Sequence, residues 1–182
     1  MSVYIVCLPH FLMTHMQLTL SKALLLSTIG MIVMTLLIPI FGKLSDYVGH
    51  NRLLCFGLIV MLFFGYGLFN LMEPNIFIIG LVMIMMAIII SLIAAPSFAL
   101  LVSIFPTRVR YSGVSVVFNV SESIFAGTTP IILVSLVNTT HYYLTAGVYL
   151  SIFSLLSLLG LIWLINSNSI YNYPMEVTNE RV

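Results

Sequence analysis

Residues 42–52 read GKLSDYVGHNR, and on each side of them lies an apolar run of about twenty residues, the length that crosses a bilayer. A short polar stretch between two such runs marks a place where the chain meets water and turns back. The first reading is therefore a membrane protein with a polar hinge at the boundary.

Composition extends that reading to the whole chain. Of its 182 residues 61% are hydrophobic and only 6% charged, and the mean hydropathy is +1.19. A soluble core of this size could not hide so much apolar surface. Charges collect in short clusters between apolar segments at 3–14, 21–41, 53–72, 76–104, 111–137 and 142–165. The first segment is shorter than a full span and is expected to be the tail of one whose start is absent. It lacks both the basic lead and the small-residue cleavage site of a secretory signal. The polar tail from 166 to 182 is expected to be loose.

Helix is the expected state of each span, since an open strand in hydrocarbon leaves backbone groups unpaired. A barrel would alternate over segments of about ten residues, and these runs do not. Pro39, Pro96 and Pro130 fall within or near span ends, with a kink expected at Pro96. Lys43, Arg52, Arg108, Arg110 and Arg181 all fall on one face by parity, which the retention of basic residues makes cytoplasmic. Lys22, Glu73 and His141 fall on the other, where the short Glu73-Pro74-Asn75 connection implies antiparallel neighbours.

Glu122 is the one acid well inside a span, and an ionisable group there is a functional candidate because desolvation is costly. Ser115, Asn119, Glu122, Ala126 and Thr129 recur at three and four residues and share a helix face. Val116, Val117, Ile124 and Phe125 are assigned to the opposite side. The stripe lines a watery cavity for a small polar solute and a proton, or it joins two helices by a hydrogen bond. His10 and His15 sit on different helix faces, so neither a shared metal nor a proton relay is favoured over interior packing. Cys7 and Cys55 form no CxxC and read as packing residues. No nucleotide, P-loop, zinc-protease or hydrolase motif is present, so no cofactor, no metal and no enzyme activity are expected. Six scattered basic residues make no nucleic-acid stripe.

The 42–52 stretch resembles the loop motif Gly-x-Leu-Ser-Asp-Arg-x-Gly-Arg-Arg of the major facilitator superfamily. FPTRVRYSGVSVVFNVSESIFAGTTPIILVSLV, Phe105 to Val137, is similar to the signature of the metabolite:proton symporters in that superfamily, which include proline/betaine and alpha-ketoglutarate transporters. The resemblance implies an all-α membrane protein, the C-terminal six-helix bundle of such a transporter with its first helix truncated. It implies that Asp46 is the acid of a charge and helix-dipole latch and that Gly42 and Gly49 permit a tight turn. Tyr47, His50 and Asn51 depart from the basic residues of the motif, leaving Arg52. Arg108 and Arg110 would anchor the chain at the cytoplasmic interface. The implied function is proton symport of proline, glycine betaine or a carboxylic acid across a bacterial inner membrane, with the C-terminus cytoplasmic. Carriers of this kind bind solute between two six-helix halves, so the expected partners include the lipid bilayer and a separately encoded N-terminal half, without which this chain is an inactive fragment. A small membrane interaction subunit that docks a partner through the polar stripe is the alternative.

Overall fold

A computed structural model of the chain describes residues 12–13, 19–71, 75–140 and 144–166. The first apolar segment, apart from Leu12 and Met13, lies outside the described residues, and so do Cys7, His10, His15, His141 and the tail beyond Asn166. Five helices follow one another: α1 (Leu20–Val48), α2 (His50–Asn70), α3 (Ile76–Ile104), α4 (Arg110–Thr140) and α5 (Leu144–Asn166). Each holds a segment long and apolar enough to cross a membrane. No strand occurs among the described residues.

In lipid, helices gain little from hiding apolar surface from one another, so close packing and interhelical hydrogen bonds must hold them. Both are visible. On α1, Ala23, Ser27, Gly30 and Met34 recur at four, three and four residues and are all buried. They face α3, where the Ser91 hydroxyl reaches the Met34 carbonyl at 3.3 Å while also bonding Ala87 O in its own helix at 2.7 Å. Gly65 of α2 lies against Ser151 and Gly147 of α5. There two serines donate across to α2 carbonyls, Ser154 to Leu58 O at 2.6 Å and Ser151 to Leu62 O at 3.2 Å. Small residues bring the two backbones within reach of a hydroxyl; a larger side chain at Gly65 would hold them apart.

Paired positions give the directions. Leu26 with Gly80 and Met34 with Ser91 make α1 and α3 parallel, whereas Leu58 with Ser154 and Gly65 with Gly147 make α2 and α5 antiparallel. Gly57 meets Leu92 and Ile93, so α2 lies against α3. The helix with the most buried positions is α3. It is apolar all round, and such a helix belongs inside a bundle. Met83, Met86, Ile79 and Val82 are buried there in a cluster that also takes Leu12, Ala23, Met61, Leu68 and Leu133. Leu54, Leu58, Leu100 and Leu161 form a second cluster toward the Gly49 end.

The polar hinge differs from its reading in sequence. Gly42, Ser45 and Asp46 are helical, and α1 continues to Val48. A single residue, Gly49 at φ 98°, separates it from α2. Polarity marks where hydrocarbon stops, but a helix satisfies its own backbone bonds and can run on into water. It ends where glycine can take a left-handed φ, with the Gly49 N–H bonded to Ser45 O at 2.9 Å. The tight turn thus belongs to Gly49, and Gly42 has no part in it. Pro39, Pro96 and Pro130 likewise sit inside continuous helices.

Candidate functional site

Two groups of polar residues stand apart from the packing, one midway along α4 and one at the Gly49 end of the bundle.

Helix α4 touches its neighbours at Phe118 and again from its midpoint onward, at Phe125 and Thr129. Near its start the Phe118 ring meets Phe98 of α3, with centroids 5.7 Å apart. Further on, Phe125 meets Phe153 of α5 edge-on at 6.2 Å, and the Thr129 and Tyr149 hydroxyls are 3.3 Å apart. Tyr149 in turn lies against Phe153 at 4.5 Å. At about 100° per residue, Asn119, Glu122, Ala126, Thr129 and Leu133 all lie within about 40° of the direction of Ser115. Thr129 and Leu133 are buried, Ser115 and Ala126 half-buried, yet Asn119 and Glu122 are exposed. Every residue from 116 to 125 is exposed, so over this stretch α4 stands away from its neighbours on all sides, and the polar face is open there between the half-buried Ser115 and the buried Thr129.

Glu122 lies about 18 Å along α4 from Arg110, near the middle of a hydrocarbon layer of about 30 Å. Its carboxylate bonds no other described residue. Asn119 donates from Nδ2 to Ser115 O of its own helix at 2.7 Å. Neither side chain ties two helices together; in that stripe Thr129 does so, through Tyr149. Val117 and Ile124 lie about 160–180° round from Ser115 and are exposed on the outer side, whereas Val116 and Phe125 lie about 100° and 80° from it, on the two flanks. Phe125 reaches α5. Sequence reasoning missed the rings of Phe98, Phe118, Tyr149 and Phe153. Tyr149 offered a signal, since a phenol in an apolar helix needs a partner for its hydroxyl.

At the Gly49 end, Ser45 is fully buried and its Oγ lies 2.7 Å from His50 Nδ1, so the last turn of α1 is bonded to the first residue of α2. Asp46 and Arg52 are exposed, and no ion pair joins Asp46 to a described residue. The α3–α4 connection reaches the same end, because α1 and α3 are parallel. Arg110 donates from Nε to Phe105 O at 3.1 Å, and Arg108 is exposed. The two ends of FPTRVRYSG meet: the Phe105 ring lies over Gly113, where an added Cβ would stand 2.5 Å from Phe105 Cδ1. Lys43, Arg52, Arg108 and Arg110 therefore share one end of the bundle. No group of three His, Cys, Asp or Glu residues among the described residues is placed to hold a metal.

A separate groove of about 320 Å³ lies between α2 and α5, lined by Leu62, Tyr66, Val148, Ser151, Ile152 and Leu155. It contains none of the polar stripe.

Comparison with known proteins agrees with this architecture. The sequence profile of the Major Facilitator Superfamily matches residues 1–176. The ectoine/proline transporter ProP of Corynebacterium glutamicum is 33% identical over 141 residues, which are 76% of this chain and 28% of the relative. The proline/betaine transporter of Salmonella typhimurium is 28% identical over 172 residues, 93% of this chain and 33% of the relative. The glycine betaine/proline/ectoine/pipecolic acid transporter OusA of Dickeya dadantii is 29% identical over 155 residues, 84% of this chain and 30% of the relative. The chain spans about a third of the length of these curated relatives. No solved structure matches it significantly. With five span-length helices and a family profile covering almost all of its length, the chain is a multi-pass membrane protein that belongs to the Major Facilitator Superfamily.

Proposed function

We propose that this chain forms one wall of a proton-coupled carrier for a small polar metabolite or osmolyte: proline, glycine betaine or a carboxylic acid. The observation that carries the reading is the exposure of Asn119 and Glu122, side by side at membrane depth, on a stretch of α4 that stands away from its neighbours between the contacts at Phe118 and Phe125. A polar face held open at membrane depth is costly unless water or solute fills it. The relatives' names supply the solute class. In this reading Asn119, Ser115 and Thr129 line the solute path, and Glu122 takes up and releases the coupled proton. The second wall is a first six-helix half, on the same polypeptide or on another, and the chain without it does not transport.

Asp46, Gly49 and Arg52 belong to the hinge that reorganises as the carrier alternates, with Gly42 beside it in α1. Arg108 and Arg110 hold the α3–α4 connection at the interface. The membrane is a bacterial inner membrane, and the basic end, with the C-terminus, faces the cytoplasm.

The test is uptake of labelled proline or glycine betaine in a host lacking its own carriers, with this chain co-expressed beside the first half of a relative. Uptake that a protonophore abolishes is expected. Glu122→Gln removes the titrating group while keeping its shape, and should abolish the dependence on the proton gradient. Gradient-independent uptake by the unaltered pair, or unchanged coupling in Glu122→Gln, refutes the assignment.

A further inference from the structure

The groove between α2 and α5 lies on the outer side of the bundle. Val148, Ser151, Ile152 and Leu155 share one face of α5, and Leu62 and Tyr66 stand about one turn apart on α2. Leu62 and Ser151 are half-buried and make its floor, whereas Tyr66, Val148, Ile152 and Leu155 are exposed and make its walls. At about 100° per residue, Met61 and Leu68, which pack inward with Leu12, lie about 100–160° round α2 from Leu62 and Tyr66. Tyr149 and Phe153, which meet α4, lie on average about 130° round α5 from the lining residues. The groove therefore opens away from the polar stripe, and what it holds is independent of the carrier reading. Ile59, Phe63, Leu156 and Leu159, all exposed, continue the apolar surface on either side. It is an indentation in the face that the bundle turns to lipid.

The lining surface is wholly apolar, since the one hydroxyl on the floor, that of Ser151, donates to Leu62 O. Water in such a place needs two to four polar partners and finds none. A helix of about 10 Å diameter takes up about 800 Å³ over the length of about 10 Å from Val148 to Leu155. The groove offers about 320 Å³, so it does not seat a helix, whether of a second copy or of another half. A single hydrocarbon chain is narrow enough. Depth agrees with that occupant. With Ser154 opposite Leu58, Leu155 stands about 12 Å and Tyr66 about 26 Å along the helices from the level of Gly49. The first is near the middle of a hydrocarbon layer of about 30 Å and the second close to its far side. Tyr66 is 44% exposed, and its hydroxyl bonds no other described residue. A phenol at that depth sits at the head-group boundary with its polar tip toward water, where the ester carbonyls of lipids are acceptors.

We propose that the α2–α5 groove binds one phospholipid of the leaflet opposite the basic end. An acyl chain runs along it from Tyr66 to Leu155, and an ester carbonyl accepts the Tyr66 hydroxyl. The chain covers the seam that Ser151 and Ser154 hold closed.

Photolabelling tests the site. The purified chain is placed in phosphatidylglycerol vesicles with a trace of phosphatidylglycerol that carries a diazirine in one acyl chain, then irradiated and mapped by mass spectrometry. A diazirine beside the ester should label Tyr66 and Val148, and one near the chain end should label Leu155. Ile32 and Leu36 are at least as exposed and lie at similar depth on α1, about 26 and 20 Å from Gly49. Labelling in the groove should exceed theirs about fivefold or more, the ratio that about 1 kcal/mol of closer packing gives. Val148→Phe and Ile152→Trp fill the groove and should each remove that excess, while Ile32→Trp leaves it. Tyr66→Phe should lower it about threefold, within the range of one hydrogen bond. Equal labelling of groove and controls overturns the proposal, as does an excess untouched by both filling variants. A chain-end label on Tyr66 in place of Leu155 overturns the orientation and with it the assigned leaflet. A groove that stays unlabelled while two copies cross-link through it gives the face to a second copy and overturns the proposal too.

Discussion

Ser154→Ala should destabilise the bundle more than any other single hydroxyl deletion on α5. Ser154 is 5% exposed and donates to Leu58 O across the α2–α5 seam at 2.6 Å. The substitution removes one oxygen, leaves the helix propensity no worse, and opens a void smaller than a methyl group. The effect is then close to the worth of the interhelical bond itself. Such bonds average about 0.6 kcal/mol in membrane bundles and reach about 1.7 kcal/mol. The short distance and the burial place Ser154 toward the upper figure, about sixteenfold in the unfolding equilibrium. Ser151, whose bond to Leu62 O is 3.2 Å long, belongs near the average. Ser157 on the same helix is exposed and serves as the control, with an expected change near zero. Denaturation in mixed micelles followed by far-UV circular dichroism measures all three. The reasoning fails if Ser154→Ala costs no more than Ser157→Ala, or if Ser151→Ala costs clearly more than Ser154→Ala.

Gly49 has open space around its Cα but sits at φ 98°, ψ 132°, away from the left-handed helical well, so Gly49→Ala and Gly49→Asn should each cost about 1–3 kcal/mol through backbone strain alone; the same micelle titration measures both. Gly113→Ala drives a methyl into the Phe105 ring and should cost about 1–3 kcal/mol as overpacking. Phe105→Ala in the same chain should relieve most of that cost, which a double-mutant cycle would read directly. Cysteines introduced at Lys43 and at Arg108 should label from one side of the membrane and a cysteine at Asn75 from the other. Labelling of 43 and 108 from opposite sides would break the parallel pairing of α1 and α3.

The helices were legible because hydrocarbon imposes a length on them: apolar runs bounded by Lys22, Lys43, Glu73, Arg108 and Arg110 could be little else. Their ends were less legible. GKLSDYVGHNR reads as a loop by polarity, yet seven of its residues extend α1, since leaving the hydrocarbon does not oblige a helix to stop. The Ser45 to His50 bond could not be anticipated either, for it depends on how the chain turns at one residue. On α4 the period of 3.6 placed Ser115, Asn119, Glu122 and Thr129 together. Val116 and Phe125, about 100° and 80° from Ser115, lie on the flanks rather than opposite the stripe, because a list of apolar residues carries no angle. The ring pairs joining α4 to α3 and α5 connect positions twenty or more residues apart, and no local pattern encodes them. The physical sense of FPTRVRYSG emerged only in three dimensions, where its first residue covers its last.

The single-residue link between α1 and α2 bears on how the bundle is made. Those two helices diverge from Gly49, one toward α3 and the other toward α3 and α5, and touch each other little away from the link. Together they make an open fork, closed at its base by a serine and a histidine, and α3, the most apolar of the set and the next in sequence, fills the gap between its arms. Each arm is therefore held by the helix that follows rather than by the other arm, and a change that displaced α3 would leave the two joined only at that base.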